Sequence, residues 1–235
     1  MEEKREGVRM EIIARIRSEF PQKFGIPRQS GLVEGLRAAV VFEPAYRNPE
    51  AVRGLEGFSH LWLLWQFSES RGWSPTVRPP RLGGNRRMGV FATRSPFRPS
   101  PIGLSCVRLE RIELEGGPVL HVLGADLMDG TPILDIKPYL PYADCRPEAA
   151  GGFAGRTERE TLTVECSEEL LWQVPEERRQ ALRQVLAQDP RPSYHRDPER
   201  VYGMAFAGFQ VRFRVEGRVL TVVEIRNQAE QIEKE

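Results

Sequence analysis

Ile102-Gly-Leu-Ser-Cys-Val-Arg-Leu-Glu-Arg-Ile-Glu-Leu114, then Glu115-Gly-Gly117, then Pro118-Val-Leu-His-Val-Leu123 is the stretch that decides the fold. Two apolar, largely alternating runs on either side of a glycine-rich turn read as antiparallel strands. Working outward, Val8–Ile16, Leu36–Phe42, Phe58–Phe67, Arg87–Thr93 and Thr131–Ile136 have the same character, bounded by turn clusters such as Asp129-Gly130. Helical periodicity is almost absent from this region. Seven short strands without intervening helices predict an antiparallel β-barrel or sandwich, and exclude a parallel doubly wound sheet. Leu82-Gly83-Gly84-Asn85 lacks G-x-G-x-x-G spacing and precedes no helix, so it reads as a turn and not as a dinucleotide loop.

The composition shifts around Cys145–Arg159, which predicts a first domain over 1–145, a linker over 146–159 and a smaller α+β domain over 160–235. In the second domain Thr161–Glu165 reads as a strand. Pro175-Glu176-Glu177 opens a helix with Ala181, Leu182, Val185 and Leu186 on one face. Val211–Val215 and Val219–Ile225 flank Glu216-Gly217 as a hairpin. With 235 residues, 40% of them hydrophobic, the chain can bury a core. No run of about 18 apolar residues occurs, and Met1–Glu6 is charged where a signal peptide would be apolar, so the expected location is the cytoplasm. Cys106, Cys145 and Cys166 are odd in number and lack Cys-x-x-Cys spacing, which argues against a disulfide framework or a zinc site. Cys106 and Cys166 read as small core residues.

Charge is unevenly placed. The net charge is +1, yet Arg71–Leu109 holds eight arginines and no Asp, Glu or Lys, leaving the remainder of the chain at about −7. Arginine pairs with two phosphate oxygens at once and stacks on bases, so this strip suits RNA. The alternative is a solvated arginine-rich loop. Lysine is scarce: Lys23 and Lys137 are the only two away from the tails, where a compact ammonium is either needed or a chance survivor.

Four clusters stand out: Lys23-Phe-Gly-Ile-Pro-Arg-Gln29, Gly57-Phe-Ser-His-Leu-Trp62, Arg87–Leu104 and Asp126–Tyr139. In these the chain resembles the TrmO/YaeB family of tRNA methyltransferases over residues 8–145, and more weakly over Asp189–Tyr194 and Asp197–Gly203. The resemblance implies a β-barrel enzyme that uses S-adenosylmethionine to methylate the exocyclic nitrogen of threonylcarbamoyladenosine next to the anticodon, acting as a homodimer; such an in-line displacement on a sulfonium needs no metal. It also implies that Pro27, Arg28 and Gln29, Arg94, and Leu127 with Asp129, Gly130, Thr131 and Pro132 belong to the cofactor site. Where the family often has histidine after the Phe-Ser-His-Leu-Trp strand, this chain has Ser68, followed by Glu69, and both positions are expected at the cofactor. Phe91 is of the right type to face a sulfonium.

An acyl-substituted nitrogen is a weak nucleophile until its proton leaves. Asp135, Lys137 and Tyr139 alternate on one strand and so share a face, where they could stabilise a deprotonated acceptor; equally, Asp135 and Lys137 could be a structural ion pair. His60 reads as a hydrogen-bonded core histidine. For tRNA the candidates are Arg78, Arg81, Arg86 and Arg98 in the strip and Arg191, Tyr194, Arg200 and Tyr202 in the second domain, which are either an RNA surface or a charged loop. The rival reading is a non-catalytic RNA-binding β-barrel. A hydrolase finds neither a nucleophile elbow nor a metal-ligand cluster.

Overall fold

The structure, a computed structural model, describes residues 9–79, 86–155, 161–192 and 197–229. The first part forms β1 (Ala14–Ser18), β2 (Arg37–Phe42), β3 (His60–Gln66), β4 (Thr76–Val77), β5 (Met88–Gly89), β6 (Ile102–Glu113), β7 (Val119–Leu123) and β8 (Pro132–Pro138). Six of these close a barrel in the order β1-β2-β7-β6-β3-β8, every pairing antiparallel. Closure removes exposed sheet edges. Alternation fills the interior: Ile16, Val40, Leu61, Leu63, Val107, Leu120, Val122 and Ile133 are all at most 1% exposed.

One expected strand does not join the barrel. Of Arg87–Thr93, only Met88–Gly89 pairs, with Thr76–Val77, and Val90–Ala92 follows as a single 3-10 turn. The physical reason lies just downstream. Pro96, Pro99 and Pro101 lack the amide hydrogens a ladder needs, so the chain here runs as turns outside the barrel.

The second part begins with a short helix α1 (Pro141–Asp144) and continues through β9 (Thr163–Glu165), α2 (Glu168–Leu171), α3 (Glu176–Ala187), β10 (Tyr202–Phe206), β11 (Phe209–Glu216) and β12 (Val219–Asn227). The sheet order is β10-β11-β12-β9, with β9 parallel to β12. Ala181, Leu182, Val185 and Leu186 are all buried, as the helical spacing predicts. The β11–β12 hairpin closes on Glu216 and Val219, so its turn is Gly217-Arg218, one residue later than the sequence suggests, with Gly217 at φ 56°. Strand β10 was not legible in the sequence. It pairs with β11 across Ala207-Gly208, at φ 52° and 85°.

Two cores result, and they do not divide at the linker. Phe20, Val33 and Leu36 belong to the C-terminal core, with Phe24 and Ile26 packed against it. Phe20 meets Phe206 edge-on at 5.6 Å between ring centroids, and Phe24 stacks on Phe213 at 6.5 Å. The buried Glu19 carboxylate accepts the Arg37 amide at 3.3 Å and faces Arg178 at 3.5 Å. Residues 20–36 are therefore a strap from the barrel onto the second domain. No helix of the described residues is long and apolar enough to cross a membrane. No group of metal-ligating side chains occurs among them.

Candidate active site

At the rim where β3 ends and β6 begins lies a cleft of about 660 Å³. Four segments that are distant in sequence wall it: the strap at Lys23–Gln29, the end of β3 with Phe67–Ser70, the proline-rich turn from Thr93, and Asp126 with Met128 and Thr131. Of the residues expected at a cofactor, Pro27, Arg28, Gln29, Ser68, Glu69, Arg94 and Thr131 line this cleft. Arg94 donates to Gln29 Oε1 at 2.5 Å and so joins the strap to the turn. Ser30 Oγ accepts the Cys106 amide at 3.1 Å and the Gly31 amide donates to the Gly124 carbonyl at 2.9 Å, tying the strap to the barrel. Lys23 also lines the cleft and donates to the Glu69 carbonyl at 3.2 Å.

The structure places the remaining cofactor candidates elsewhere. Leu127 is 1% exposed in the barrel core. The Asp129 carboxylate accepts the Ser18 amide at 3.0 Å and faces Arg17 at 3.4 Å, while Gly130 donates to the Ile16 carbonyl and accepts from Arg15. The Asp129–Pro132 turn thus secures β1 to β8. Phe91 lies in a second, larger cleft of about 1600 Å³, separated from the first by the Thr93–Phe97 turn.

Asp126 was missed as a site residue, although it opens one of the four clusters. It lines the cleft, and its Oδ1 accepts from Ser105 Oγ, which in turn accepts from Trp65 Nε1 at 2.9 Å. Burial pushes its carboxyl above the usual carboxylate range, an effect the Ser105 hydroxyl and the Arg94 charge only partly offset. The available signal was its position between Ala125 and Leu127, an acid in an apolar run.

Asp135, Lys137 and Tyr139 line neither cleft. Asp135 is paired with Leu64 and Lys137 with Trp62, which puts both on the outer face of the barrel. Lys137 Nζ is 2.8 Å from Asp135 Oδ2. The Tyr139 ring packs against His60 and Trp62, and burial raises its phenol. This outer face continues to the cleft, because Leu64 also pairs with Leu104, a cleft residue, two strand spacings or about 10 Å from Asp135. His60 is on the same face, bonded to Ser59 Oγ at 2.9 Å, and is not inside the barrel.

Among the RNA candidates, Arg78 lines the second cleft and Arg86 is exposed. Arg98 lines the first cleft and donates to the Thr93 and Ser95 carbonyls at 3.0 and 3.2 Å. Arg200 sits over the ring of Tyr202, itself 6% exposed in the C-terminal core, and Arg191 grips Asp189 through two hydrogen bonds. Arg81 and Tyr194 lie outside the described residues.

Comparison with known proteins places this geometry. The model of the tRNA-methyltransferase O N-terminal domain matches residues 15–145, and that of the TrmO C-terminal domain matches residues 159–228. The chain is 47% identical over 216 residues to the tRNA (adenine(37)-N6)-methyltransferase of Escherichia coli, covering 87% of this chain and 92% of that protein. It is 54% identical over 162 residues to the protein of the same name from Eikenella corrodens, covering 68% and 92%. A crystal structure of TrmO from Pseudomonas aeruginosa superposes with a TM-score of 0.78 at 35% identity, covering 94% of this chain and 97% of that one. The barrel with its rim cleft and the 20–36 strap lies within the first matched region, the domain onto which the strap packs coincides with the second, and the chain belongs to the tRNA-methyltransferase O family.

Proposed function

We propose that this chain transfers a methyl group from S-adenosylmethionine to the N6 of adenosine 37 in tRNA, the activity for which its relatives are named, and that the acceptor is the threonylcarbamoyl form of that adenosine. The observation that carries the reading is the rim cleft. Its volume suits a cofactor of this size, and cationic, anionic and aromatic groups converge in it. A donor with a carboxylate, an ammonium and a sulfonium matches that set. Arg94, held by Gln29, would take the carboxylate. Asp126, a buried acid whose hydrogen bonds and nearby Arg94 offset only part of its desolvation cost, would take the ammonium and recover more of it. Phe67 and Phe97 offer faces to the sulfonium.

S-adenosylmethionine supplies an electrophilic methyl in a single displacement. The protein's part is to align donor and acceptor and keep water out. An arginine-lined second cleft next to the first, with no acidic lining residue among the described residues, supports an acceptor base that itself carries a carboxylate. On the outer face of the barrel, Asp135, Lys137 and Tyr139 line neither cleft, and the 2.8 Å contact of Lys137 with Asp135 supports the structural ion pair as the role of those two. We further propose a homodimer in the cytoplasm, with Ile102 and Leu104, 37% and 47% exposed on that same face, covered by the second copy. Calorimetric titration of S-adenosylmethionine tests the reading. Binding by the wild type and its loss in Arg94→Ala is the expected result; a wild type that binds tRNA but not S-adenosylmethionine would favour the RNA-binding barrel instead.

A further inference from the structure

The second cleft lies against the first along a common wall of Arg28, Gln29, Thr93, Arg94, Pro96 and Phe97. Two chambers on either side of one turn are the arrangement a transfer reaction needs, since the reacting atoms must meet at the partition. The chambers differ in chemistry. Asp126, Glu69 and Lys23 line the first, whereas among the described residues the charged groups lining the second are Arg28, Arg78, Arg87 and Arg94 alone.

The second chamber also holds a platform. Phe91 is 75% exposed, an unusual state for a phenylalanine in a short 3-10 turn whose first residue, Val90, is 1% exposed. Its position is nonetheless fixed. The Val90 amide donates to the Pro75 carbonyl at 3.0 Å, Thr93 Oγ1 donates back to the Val90 carbonyl at 2.8 Å, and the Arg98 guanidinium sits 5.9 Å from the Phe91 ring centroid. That guanidinium is itself held by two carbonyls of the turn. One face of the ring is thus backed by a fixed cation, while the side chain as a whole stays largely exposed and lines the cleft. Arg87, another lining residue, is steadied by Thr76 Oγ1 at 2.8 Å, on the two-stranded ribbon of β4 and β5.

We propose that this second cleft is the acceptor-nucleotide site: the target adenosine leaves the anticodon-loop stack, its base stacks on the exposed ring of Phe91, and its flanking phosphates are met by Arg78 and Arg87. Phe91 is thereby an acceptor residue and not a cofactor residue. A base inside a stacked loop cannot reach an atom in a rim cleft, and extruded nucleotides are held by an aromatic face together with arginine. The proposal rests on the methyl-transfer reading above and adds where the acceptor sits.

The test is steady-state methylation of tRNA by wild type, Phe91→Leu and Phe91→Tyr, with S-adenosylmethionine affinity measured by calorimetry on the same preparations. Loss of base stacking predicts that Phe91→Leu lowers kcat/KM for tRNA about tenfold or more. Its S-adenosylmethionine affinity stays within twofold of wild type, and Phe91→Tyr recovers most of the rate. An active wild type matched by Phe91→Leu would overturn the proposal, as would a fall in cofactor affinity by the same factor as kcat/KM, which would return Phe91 to the donor site. A wild type that binds tRNA and transfers no methyl would instead overturn the underlying reading, and the acceptor site with it.

Discussion

Asp126 and Asp129 are two carboxylates three residues apart with opposite assignments, and substitutions separate them. The folded-state pKa of Asp126 is raised by burial, so it contributes stability that is fully present below its unfolded pKa and is lost as pH rises through the folded one. Asp126→Asn removes that loss. Thermal melts across pH should show the variant at least as stable as wild type near neutrality, while its S-adenosylmethionine affinity falls by tenfold or more; unchanged affinity would remove Asp126 from the donor site. Asp129→Ala should do the reverse. It frees the Ser18 amide, costs about 1 kcal/mol of stability and leaves cofactor affinity intact. Lys137 is tested by Arg, which keeps the charge but not the compact ammonium. With Lys137 outside both clefts, the single-turnover rate should stay within a factor of a few of wild type; a fall of more than tenfold with tRNA affinity unchanged would instead place Lys137 at the acceptor nitrogen. An unaltered rate would leave the 2.8 Å pair with Asp135 as a structural contact.

At the scale of elements, the strap and the start of β6 determine whether a cleft exists at all. A Cβ at Gly103 would stand 2.2 Å from the Trp65 ring, so Gly103→Ala must displace Trp65 and break its bond to Ser105, and with it the support of Asp126. The expected outcome is a lower melting temperature together with lost S-adenosylmethionine binding; a variant that binds normally would show that Trp65 does not position Asp126. The barrel strands were legible because each shows one face to a common core, which imposes a two-residue period. The Arg87–Thr93 segment reads as a strand because Val90 and Phe91 are strand-forming residues, while the prolines that forbid pairing lie after it. Strand β10 was missed because Gly203 and Ala205 dilute its apolar signal. The strap has no period, since Phe20, Phe24, Ile26 and Val33 reach the C-terminal core from irregular backbone. Likewise, Arg28 and Arg94 stand in motifs that the sequence displays and both line the rim cleft, but the convergence of four segments on one cleft is a property of the closed barrel and leaves no spacing to read.

The whole molecule is nearly neutral, but its arginine strip lends the clefts Arg78, Arg87, Arg94 and Arg98. Replacing Arg78 and Arg86 with Ala should therefore weaken tRNA binding most at low salt and reduce the salt dependence by somewhat under one unit of slope for each phosphate left without its arginine, with S-adenosylmethionine affinity unchanged. Identical slopes in a salt titration would mean that these arginines are a solvated loop and would move the RNA surface toward Arg200. On the function proposed above, the two clefts bring a methyl donor to N6 of one adenosine. This is tested most directly by incubating the protein with S-adenosylmethionine and tRNA that carries either threonylcarbamoyladenosine or unmodified adenosine at position 37, then locating the product by mass spectrometry of the digested nucleosides. The expected product carries one added methyl on N6 of the threonylcarbamoyl nucleoside, with far less on the unmodified one. Transfer to a different nucleoside, or none to either tRNA by protein that binds both ligands, would contradict it.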